Sequence, residues 1–252
     1  MSIAALEYRL STLGSLLSVV EALRSLAAAK QQRAAGMLGA ASAYAAASAA
    51  ALSALCPEPQ PPTRRLFLLL GPEGGFTGGL PSRLVAALPG DQPPLVVGSR
   101  TIAAAQARHL PLAGTIPAPA MADALPPLAT SLCAQFPADA AITILHPRDH
   151  AIIQTDLPPL PQQSGRVELL TQVPASSLLA AAGMQDRQAR LLLALLQTHA
   201  AEQLARLSTL TGARERIRDR VSELTIQLST ARQDSISQEI ADLWSGRRAL
   251  MG

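Results

Sequence analysis

The sequence predicts two long terminal helices that pair as an antiparallel coiled coil, with a small α/β domain inserted between them. All 20 prolines of the 252-residue chain lie between Pro57 and Pro174, and an interior proline costs a helix about 3 kcal/mol. Both proline-free ends carry apolar residues at heptad spacing. Short apolar runs alternate with helical stretches in the middle. We therefore expect domains at residues 1–56, 57–174 and 175–252.

The first helix is predicted from residue 2 to about Leu55. Its apolar stripe has the narrow a/d spacing of a coiled coil, at Leu6, Leu10, Leu13, Leu17, Val20 and Ala27. Farther along, the stripe is expected to continue on alanines, at Ala40, Ala43, Ala47 and Ala51. Alanine favours helix and fills little volume, so a partner helix could approach closely there.

The middle segment predicts a small open α/β sheet. Apolar runs predict strands at residues 66–70, 95–97, 141–145 and 151–155, the last two as a hairpin or as neighbours, with a further strand at 167–170. Helices are predicted at residues 80–88, 102–109 and 121–136, the third interrupted at Pro126 and Pro127.

The last helix is predicted from about Ser176 to Trp244. Its stripe follows strict 3,4 spacing over four heptads, at Leu207, Leu210, Arg214, Ile217, Val221, Leu224, Leu228, Ala231 and Ser235. Arginines interleaved with acidic residues over 214–223 are typical of a solvated helix face with local ion pairs. Because helices draw their stability mainly from packing, the two terminal helices are expected to pair with each other.

Composition excludes some classes of protein. Only Cys56 and Cys133 are present, which excludes a disulfide scaffold. The net charge of +3 is compatible with an acidic protein partner and with a nucleic acid, and does not distinguish between them. The few aromatic residues are scattered along the sequence and form no stacking platform for single-stranded nucleic acid. No stretch is expected to approach a membrane-spanning helix and no cleaved signal peptide is expected, which leaves peripheral attachment to a membrane complex open.

The clearest candidate for a ligand site is the glycine-rich turn Gly71–Gly79, between a strand and a helix. Its position and composition suit a phosphate-binding loop, but it lacks the P-loop ending and the dinucleotide spacing. A tight strand-to-helix turn is therefore favoured, with a phosphate-binding loop as the alternative. His146 and His150 flank Asp149 and could act as acid–base groups, or could lie in a surface loop. The four histidines and two cysteines show no metal spacing. No catalytic residue, metal or cofactor is expected.

The two ends carry a resemblance to a known family. The decapeptide Ala231–Ile240 (ARQDSISQEI) resembles the C-terminal signature of the gamma subunit of rotary F-type ATP synthases. The segment AEQLARL at 201–207 is similar to the family's S-E-x-A-A-R-M stretch, and ALRSLAAAK at 22–30 to its A-M-K-M-V-A-A-x-K segment. The glycine-rich turn falls where the family has D-R-G-L-C-G-G-L-N. The resemblance covers essentially the whole chain.

The resemblance implies a role and a set of partners. The terminal helices would form the central shaft that rotates inside a ring of alpha and beta subunits, and the inserted domain (Rossmann-like) would contact the epsilon subunit and the membrane c-ring. Catalysis would belong to the beta subunits, with no nucleic acid bound and no direct membrane insertion, at the cytoplasmic face of a bacterial inner membrane. The positions implied to contact the ring are Arg206, Gln233, Ser237, Leu23 and Lys30. Arg206 would bind a carboxylate of an acidic beta-subunit loop.

Departures from the family pattern keep further readings open. Ser18 and Glu21 replace usual lysines, and Gly71-Pro72-Glu73 replaces Asp-Arg-Gly. A divergent gamma, such as that of a sodium-translocating ATPase, would fit, and the choice between proton and sodium stays open. The segment GPEGGF at 71–76 also resembles a motif of S-adenosylmethionine-dependent ribosomal RNA methyltransferases. A coiled-coil scaffold protein is the third class.

Overall fold

The computed structural model describes residues 2–56, 61–90, 92–161 and 174–250. By their internal contacts the residues form two compact units, 1–26 with 208–252, and 27–207. The predicted strand at 167–170 lies outside the described residues. The domain limits expected from the sequence remain a prediction.

Two long helices contribute to both units. Helix α1 spans Ile3–Leu55 and helix α5 spans Ala175–Leu250, 53 and 76 residues respectively. Helix α5 continues through Gly183 and Gly212, because a single glycine costs a helix only about 1 kcal/mol. The predicted pair of long proline-free terminal helices is confirmed.

The larger unit contains a five-stranded mixed sheet in the order β3-β2-β1-β4-β5. The strands are β1 (Arg64–Leu70), β2 (Leu95–Val97), β3 (Gly114–Ile116), β4 (Ala140–Arg148) and β5 (Ala151–Leu157). The pairs β3–β2, β2–β1 and β1–β4 are parallel. Strand β5 pairs antiparallel with β4, so that of the two predicted arrangements the hairpin is the one that forms. Sequence reasoning missed β3 because Gly114, Thr115 and Ile116 do not form the continuous apolar run that revealed β2.

Short helices connect the strands. They are α2 (Leu80–Ala86), α3 (Ser99–Ala107), a 3-10 turn (Ala122–Ala124) and α4 (Leu125–Gln135). The expectation that Pro126 and Pro127 interrupt a helix is wrong: they are the second and third residues of α4, and the break between the 3-10 turn and α4 lies before Leu125. An amide at the start of a helix has no acceptor within the helix, so proline is tolerated there.

Helices cover both faces of the sheet. Leu69, Val96 and Leu145 pack against α2 and α3. On the other face, Leu68, Leu70, Val97, Ile142, Ile144 and Leu157 pack against α4, the Ala41 region of α1 and the 191–196 segment of α5. The sheet is therefore buried on both sides, and this accounts for the continuous apolar run in β1.

The alanine stripe of α1 has a different phase from the predicted one. Ala40, Ala43, Ala47 and Ala51 are exposed, whereas Ala34, Ala41, Ala45 and Ser48 are buried. The buried set continues the heptad phase of Leu6, Leu13, Val20 and Ala27. Because nearly every residue of this segment is alanine or another small residue, hydrophobicity alone carries no phase information there.

The smaller unit is the predicted antiparallel coiled coil. Leu6 of α1 packs against Leu224 and Leu228 of α5, and Ile3, Leu10, Leu13 and Ala231 extend this cluster. Every α5 residue of the predicted stripe in this unit, from Leu210 to Ser235, is buried or half-buried. Heptad spacing therefore located the contact surface of α5 correctly.

One described helix, α1, is long and apolar enough to cross a membrane by length and composition alone. The expectation that no stretch approaches a spanning helix is therefore wrong at the level of composition, since residues 34–55 contain no charged side chain. Core helices of soluble proteins have the same composition, and Ala34, Ala41 and Ala45 of this segment are buried within the larger unit.

Candidate functional site

The glycine-rich turn lies at the carboxyl end of the middle strand. It follows β1, whose neighbours β2 and β4 lie on opposite sides. In open α/β sheets, ligands bind in the crevice outside the carboxyl ends of the strands, where the strand order reverses in this way. The turn of this chain therefore occupies the usual ligand position of its fold.

Glu73 of the turn binds the segments that follow β2 and β3. Its Oε2 accepts hydrogen bonds from the amides of Ser99 and Ala118, both at 2.8 Å, and its Oε1 accepts one from the Ser99 hydroxyl at 2.7 Å. Partial burial acts to raise the pKa of Glu73, but these hydrogen bonds outweigh it and the pKa lies below its ordinary value. An ionised Glu73 therefore holds the turn against the start of α3.

A second carboxylate approaches the turn from α5. Glu202 accepts hydrogen bonds from the amides of Glu73, at 3.2 Å, and Gly74, at 2.9 Å. Arg206, one helical turn later, donates to Glu202 at 2.6 Å and to the carbonyl of Gly75 at 3.0 Å. The exposed fractions of the Glu202 and Arg206 side chains are only 6% and 15%. The turn and α5 are thus joined by charge-assisted hydrogen bonds that are largely shielded from water.

Close packing leaves little room at this position. The crevice lined by Gly71, Val97, Ala118, His199 and Glu202, among others, has a volume of about 10 Å³. A volume of this size holds about one water molecule. The segment is therefore a tight strand-to-helix turn, and Glu202 accepts hydrogen bonds from the amides that a bound phosphate would need. The structure has no open phosphate-binding site at this turn.

Two glycines are required by the close approach of backbones at this turn. A Cβ on Gly71 would lie 1.9 Å from Oγ1 of Thr101, and Gly98, with φ of +106°, would place a Cβ 2.3 Å from the carbonyl oxygen of Gly71. Residues with a Cβ rarely adopt such a φ. Gly71 and Gly98 therefore serve the internal packing of the turn.

The five positions implied to contact a partner ring have different surroundings. Gln233 and Ser237 are exposed and lie four residues apart on α5, which places them on one face. Leu23 is half-buried. Lys30 is half-buried and donates to the carbonyl of Ala120 at 3.1 Å. Arg206 has its guanidinium engaged by Glu202, Gly75 and also Gln203, at 2.7 Å.

Sequence reasoning missed Glu73, Glu202 and Gln203 as members of this cluster. One signal was present, because Glu202 precedes Arg206 by four residues and such pairs form readily on a helix. The 128 residues that separate Gly74 from Glu202 could not be bridged without the tertiary structure.

The acidic residues of α1 form ion pairs with arginines of α5. Glu7 accepts from Arg232 at 2.6 Å, and Glu21 accepts from both Arg214 and Arg218 at 3.1 Å. Hydrogen bonding to Arg214 is the largest influence that lowers the pKa of Glu21. Glu7 and Glu21 are the only acidic residues before residue 58. Glu21 thus binds two arginines across the coiled coil.

The histidines do not form an acid–base site. His146 is fully buried, its Nε2 lies 3.1 Å from Oγ1 of Thr155, and burial lowers its pKa to about 4. His150 and Asp149 are exposed in the hairpin turn. His199 is buried on α5, and its pKa is lowered chiefly by burial. Among the described residues, no group of three or more His, Cys, Asp or Glu side chains could hold a metal ion.

Other buried polar groups serve the core. Arg187 is fully buried and donates to the carbonyls of Pro137, Ala140 and Pro158 at 3.0–3.1 Å. Burial raises the pKa of the neighbouring Cys133 thiol to about 11.

Two open grooves of about 330 and 310 Å³ lie between α1 and α5, and both are lined by Ser42, Leu193 and Gln197.

One comparison with known proteins shows a family. The family model described as ATP synthase matches residues 2–250. No curated protein matches the chain. The rotor of the Euglena gracilis mitochondrial ATP synthase is similar to this chain with a TM-score of 0.64 at 14% identity, covering 93% of this chain and 98% of that one.

Two further solved structures have the same fold. A chain of the Euglena gracilis mitochondrial ATP synthase OSCP/F1/c-ring assembly gives a TM-score of 0.67 at 13% identity, covering 98% of this chain and 94% of that one. A chain of the Tetrahymena thermophila central stalk and c-ring gives 0.58 at 15% identity, covering 77% and 99%. The long terminal helices and the small mixed sheet are common to these structures and this chain.

Proposed function

The chain belongs to the gamma-subunit family of ATP synthases, and from this membership we infer that it is the central-stalk rotor subunit of an ion-translocating F-type ATP synthase. Its rotation couples the membrane c-ring to ATP synthesis or hydrolysis in the alpha/beta ring. The family match over residues 2–250 carries this conclusion. Nothing in the comparisons favours the methyltransferase alternative.

The architecture is suited to transmitting torque. The coiled coil has a continuous apolar contact at Leu6, Leu224 and Leu228, flanked by ion pairs between the two helices. A packed pair of helices resists bending and twisting better than one helix does, since each apolar side chain is held by its partner helix. In the larger unit, the turn is fixed to α5 through Glu202 and Arg206.

We further propose that the subunit is not itself a catalyst. The support is chemical: the fold's usual ligand position is filled by Glu202, His146 is buried, and His150 and Asp149 lie in an exposed turn. Catalysis would then take place on the beta subunits. Isothermal titration of the isolated chain with ATP or S-adenosylmethionine should give no heat of binding, and micromolar affinity for either would contradict the proposal.

The proposed partners follow from family membership and from the structural neighbours, which belong to assemblies that contain F1 and the c-ring. We propose that the chain contacts alpha, beta and epsilon subunits and the c-ring, and binds no nucleic acid. As a gamma subunit it is a peripheral part of a membrane-bound complex. The cytoplasmic face of a bacterial inner membrane is the proposed location. The choice between proton and sodium rests with the c-ring.

The partner contacts are proposed at Leu23, Lys30, Arg206, Gln233 and Ser237. Exposed amide and hydroxyl groups at Gln233 and Ser237 are free to face a partner on one side of α5. For Arg206 a partner carboxylate would compete with Glu202, which already takes its Nη2. We therefore expect Arg206 to affect both the stability of the chain and its contact with the ring.

Co-purification tests the proposed function directly. A tagged copy of the chain, expressed in its native host, should recover alpha and beta subunits together with epsilon. A tagged variant in which Leu224 and Leu228 are both replaced by Ser, which disrupts the coiled-coil contact, should lose them. Recovery of ribosomal RNA, or of no subunits by the intact chain, would contradict the assignment.

A further inference from the structure

We propose that the glycine-rich turn is an anion-binding site whose ligand in this chain is the Glu202 carboxylate, so that loss of this carboxylate leaves a site for a small oxyanion such as phosphate. The proposal rests on the contacts of Glu202, whose nearly buried carboxylate accepts hydrogen bonds from two main-chain amides and from one guanidinium.

The donors are arranged as in a site for an anion. The amides of Glu73 and Gly74 each donate to a different oxygen of Glu202, at 3.2 and 2.9 Å. Nη2 of Arg206 donates to the Oε1 that also receives the Gly74 amide. Successive main-chain amides that point into one concave space bind anions, and an arginine adds charge to the site.

The geometry of the turn also favours a bound anion over an empty loop. Gly74 has no side chain to obstruct Arg206: a Cβ there would lie 2.2 Å from Nη2 of Arg206 and 3.1 Å from Oε1 of Glu202. Arg100 lies near the next residue, with Nη2 3.3 Å from the position of a Cβ on Gly75. Arg206 therefore shares Oε1 of Glu202 with the Gly74 amide, and Arg100 lies beside the following residue, Gly75.

The location in the sheet makes the inference specific. The turn follows β1 at the reversal of strand order, where α/β sheets bind phosphate-bearing ligands. Here the crevice beside it retains only about 10 Å³. Helix α5 thus fills, with its own carboxylate, the position that a free ligand occupies in other sheets of this type.

The test compares thermal unfolding of the full-length chain and of Glu202→Ala in inorganic phosphate, with chloride at equal ionic strength as the reference. Phosphate should raise the Tm of Glu202→Ala in a saturable way, by about 3–6 °C at ten times its Kd. The unmodified chain should show only the general effect of the salt. An equal response of the two proteins would overturn the proposal.

Two variants separate a specific site from a general salt effect. Glu223→Ala removes an exposed carboxylate from the same helix, where it pairs with Arg220, and should respond to phosphate like the unmodified chain. Adding Arg206→Ala to Glu202→Ala should abolish the saturable gain, because a third donor is lost. A gain that persists in the double variant would also count against the site.

A measurement on the unmodified chain keeps the inference testable if Glu202→Ala does not fold. Native-state hydrogen exchange should find the amides of Glu73 and Gly74 protected, whereas the amide of exposed Phe76 exchanges much faster. Exchange of all three amides at the same rate would show that no anion is held at the turn, and would overturn the proposal.

Discussion

The carboxylate of Glu202 accepts a hydrogen bond from the amide of Gly74 at 2.9 Å, although 128 residues separate the two in the chain. This contact joins a turn of the inserted sheet to the C-terminal helix. Because α5 also forms the coiled coil with α1, the same helix carries both the packing of the sheet and the contact with a second helix.

Gly74→Ala should destabilise the chain by about 1–2 kcal/mol. The new methyl group would lie 2.2 Å from Nη2 of Arg206, so the guanidinium must move away from Glu202 or Gly75 and lose a charge-assisted hydrogen bond. Urea unfolding of the isolated chain measures the change. Gly79→Ala is the matched control, since a Cβ there has no atom within 4 Å, and an equal loss in the two variants would contradict the explanation.

Arg206→Ala should lower the free energy of unfolding by about 2–3 kcal/mol. Three hydrogen bonds are lost, to Glu202, Gln203 and Gly75, and the Glu202 carboxylate stays nearly buried without its cation. Arg220→Ala removes an arginine from an exposed pair with Glu223 and should change stability by less than about 0.5 kcal/mol. Equal effects of the two substitutions on the free energy of unfolding would contradict the larger contribution expected from the shielded Arg206–Glu202 pair.

The coiled-coil contact should depend on Leu224. Leu224→Ala removes a side chain that is 2% exposed and packs against Leu6, and we expect a loss of about 2–4 kcal/mol. Ile226→Ala, two residues along the same helix, alters a side chain that is 65% exposed and should change stability by less than about 0.5 kcal/mol. Similar losses for both would contradict the assigned face of α5.

His146 should make the chain less stable in mild acid. Its pKa is about 4 in the folded chain against 6.5 for the free side chain, so the unfolded state takes up a proton first as the pH falls. The stabilisation is complete above pH 6.5 and is lost between pH 6.5 and 4, by about 3 kcal/mol in all. His146→Gln should flatten this part of the profile of unfolding free energy against pH. Thr155→Val keeps the imidazole and should keep the slope, so a flat profile in this control would argue against His146 as the cause.

Gln233 and Ser237 should matter to the assembled complex alone. Both are exposed in the isolated chain, so Gln233→Ala and Ser237→Ala should leave its unfolding unchanged. If they contact the alpha/beta ring, ATP-driven ion pumping by the reconstituted complex should fall, because a hydrogen bond contributes about 1 kcal/mol. Gln227→Ala and Ser229→Ala, exposed on the same helix, are the controls. Unchanged pumping in the first two variants would remove these residues from the proposed contact.

The sequence by itself determined the long terminal helices, their antiparallel pairing and the strands at β1, β2, β4 and β5. Leucine at heptad spacing predicts the coiled coil and short continuous apolar runs predict buried strands, and the restriction of proline to 57–174 separated the long helices from the sheet. The alanine-rich part of α1 carried no phase information, so the buried face there at Ala34, Ala41 and Ser48 was decided by packing against the sheet and α5.

Only the tertiary structure decided the role of the glycine-rich turn. Its sequence is compatible with a phosphate loop and with a tight turn, because both need glycines between a strand and a helix. The difference lies in Glu202 and Arg206, which are distant in sequence and reach the turn only when α5 packs on the sheet. Local residue patterns specify secondary structure. The hydrogen-bond acceptor of a main-chain amide in a turn depends instead on which distant side chain the fold brings to it.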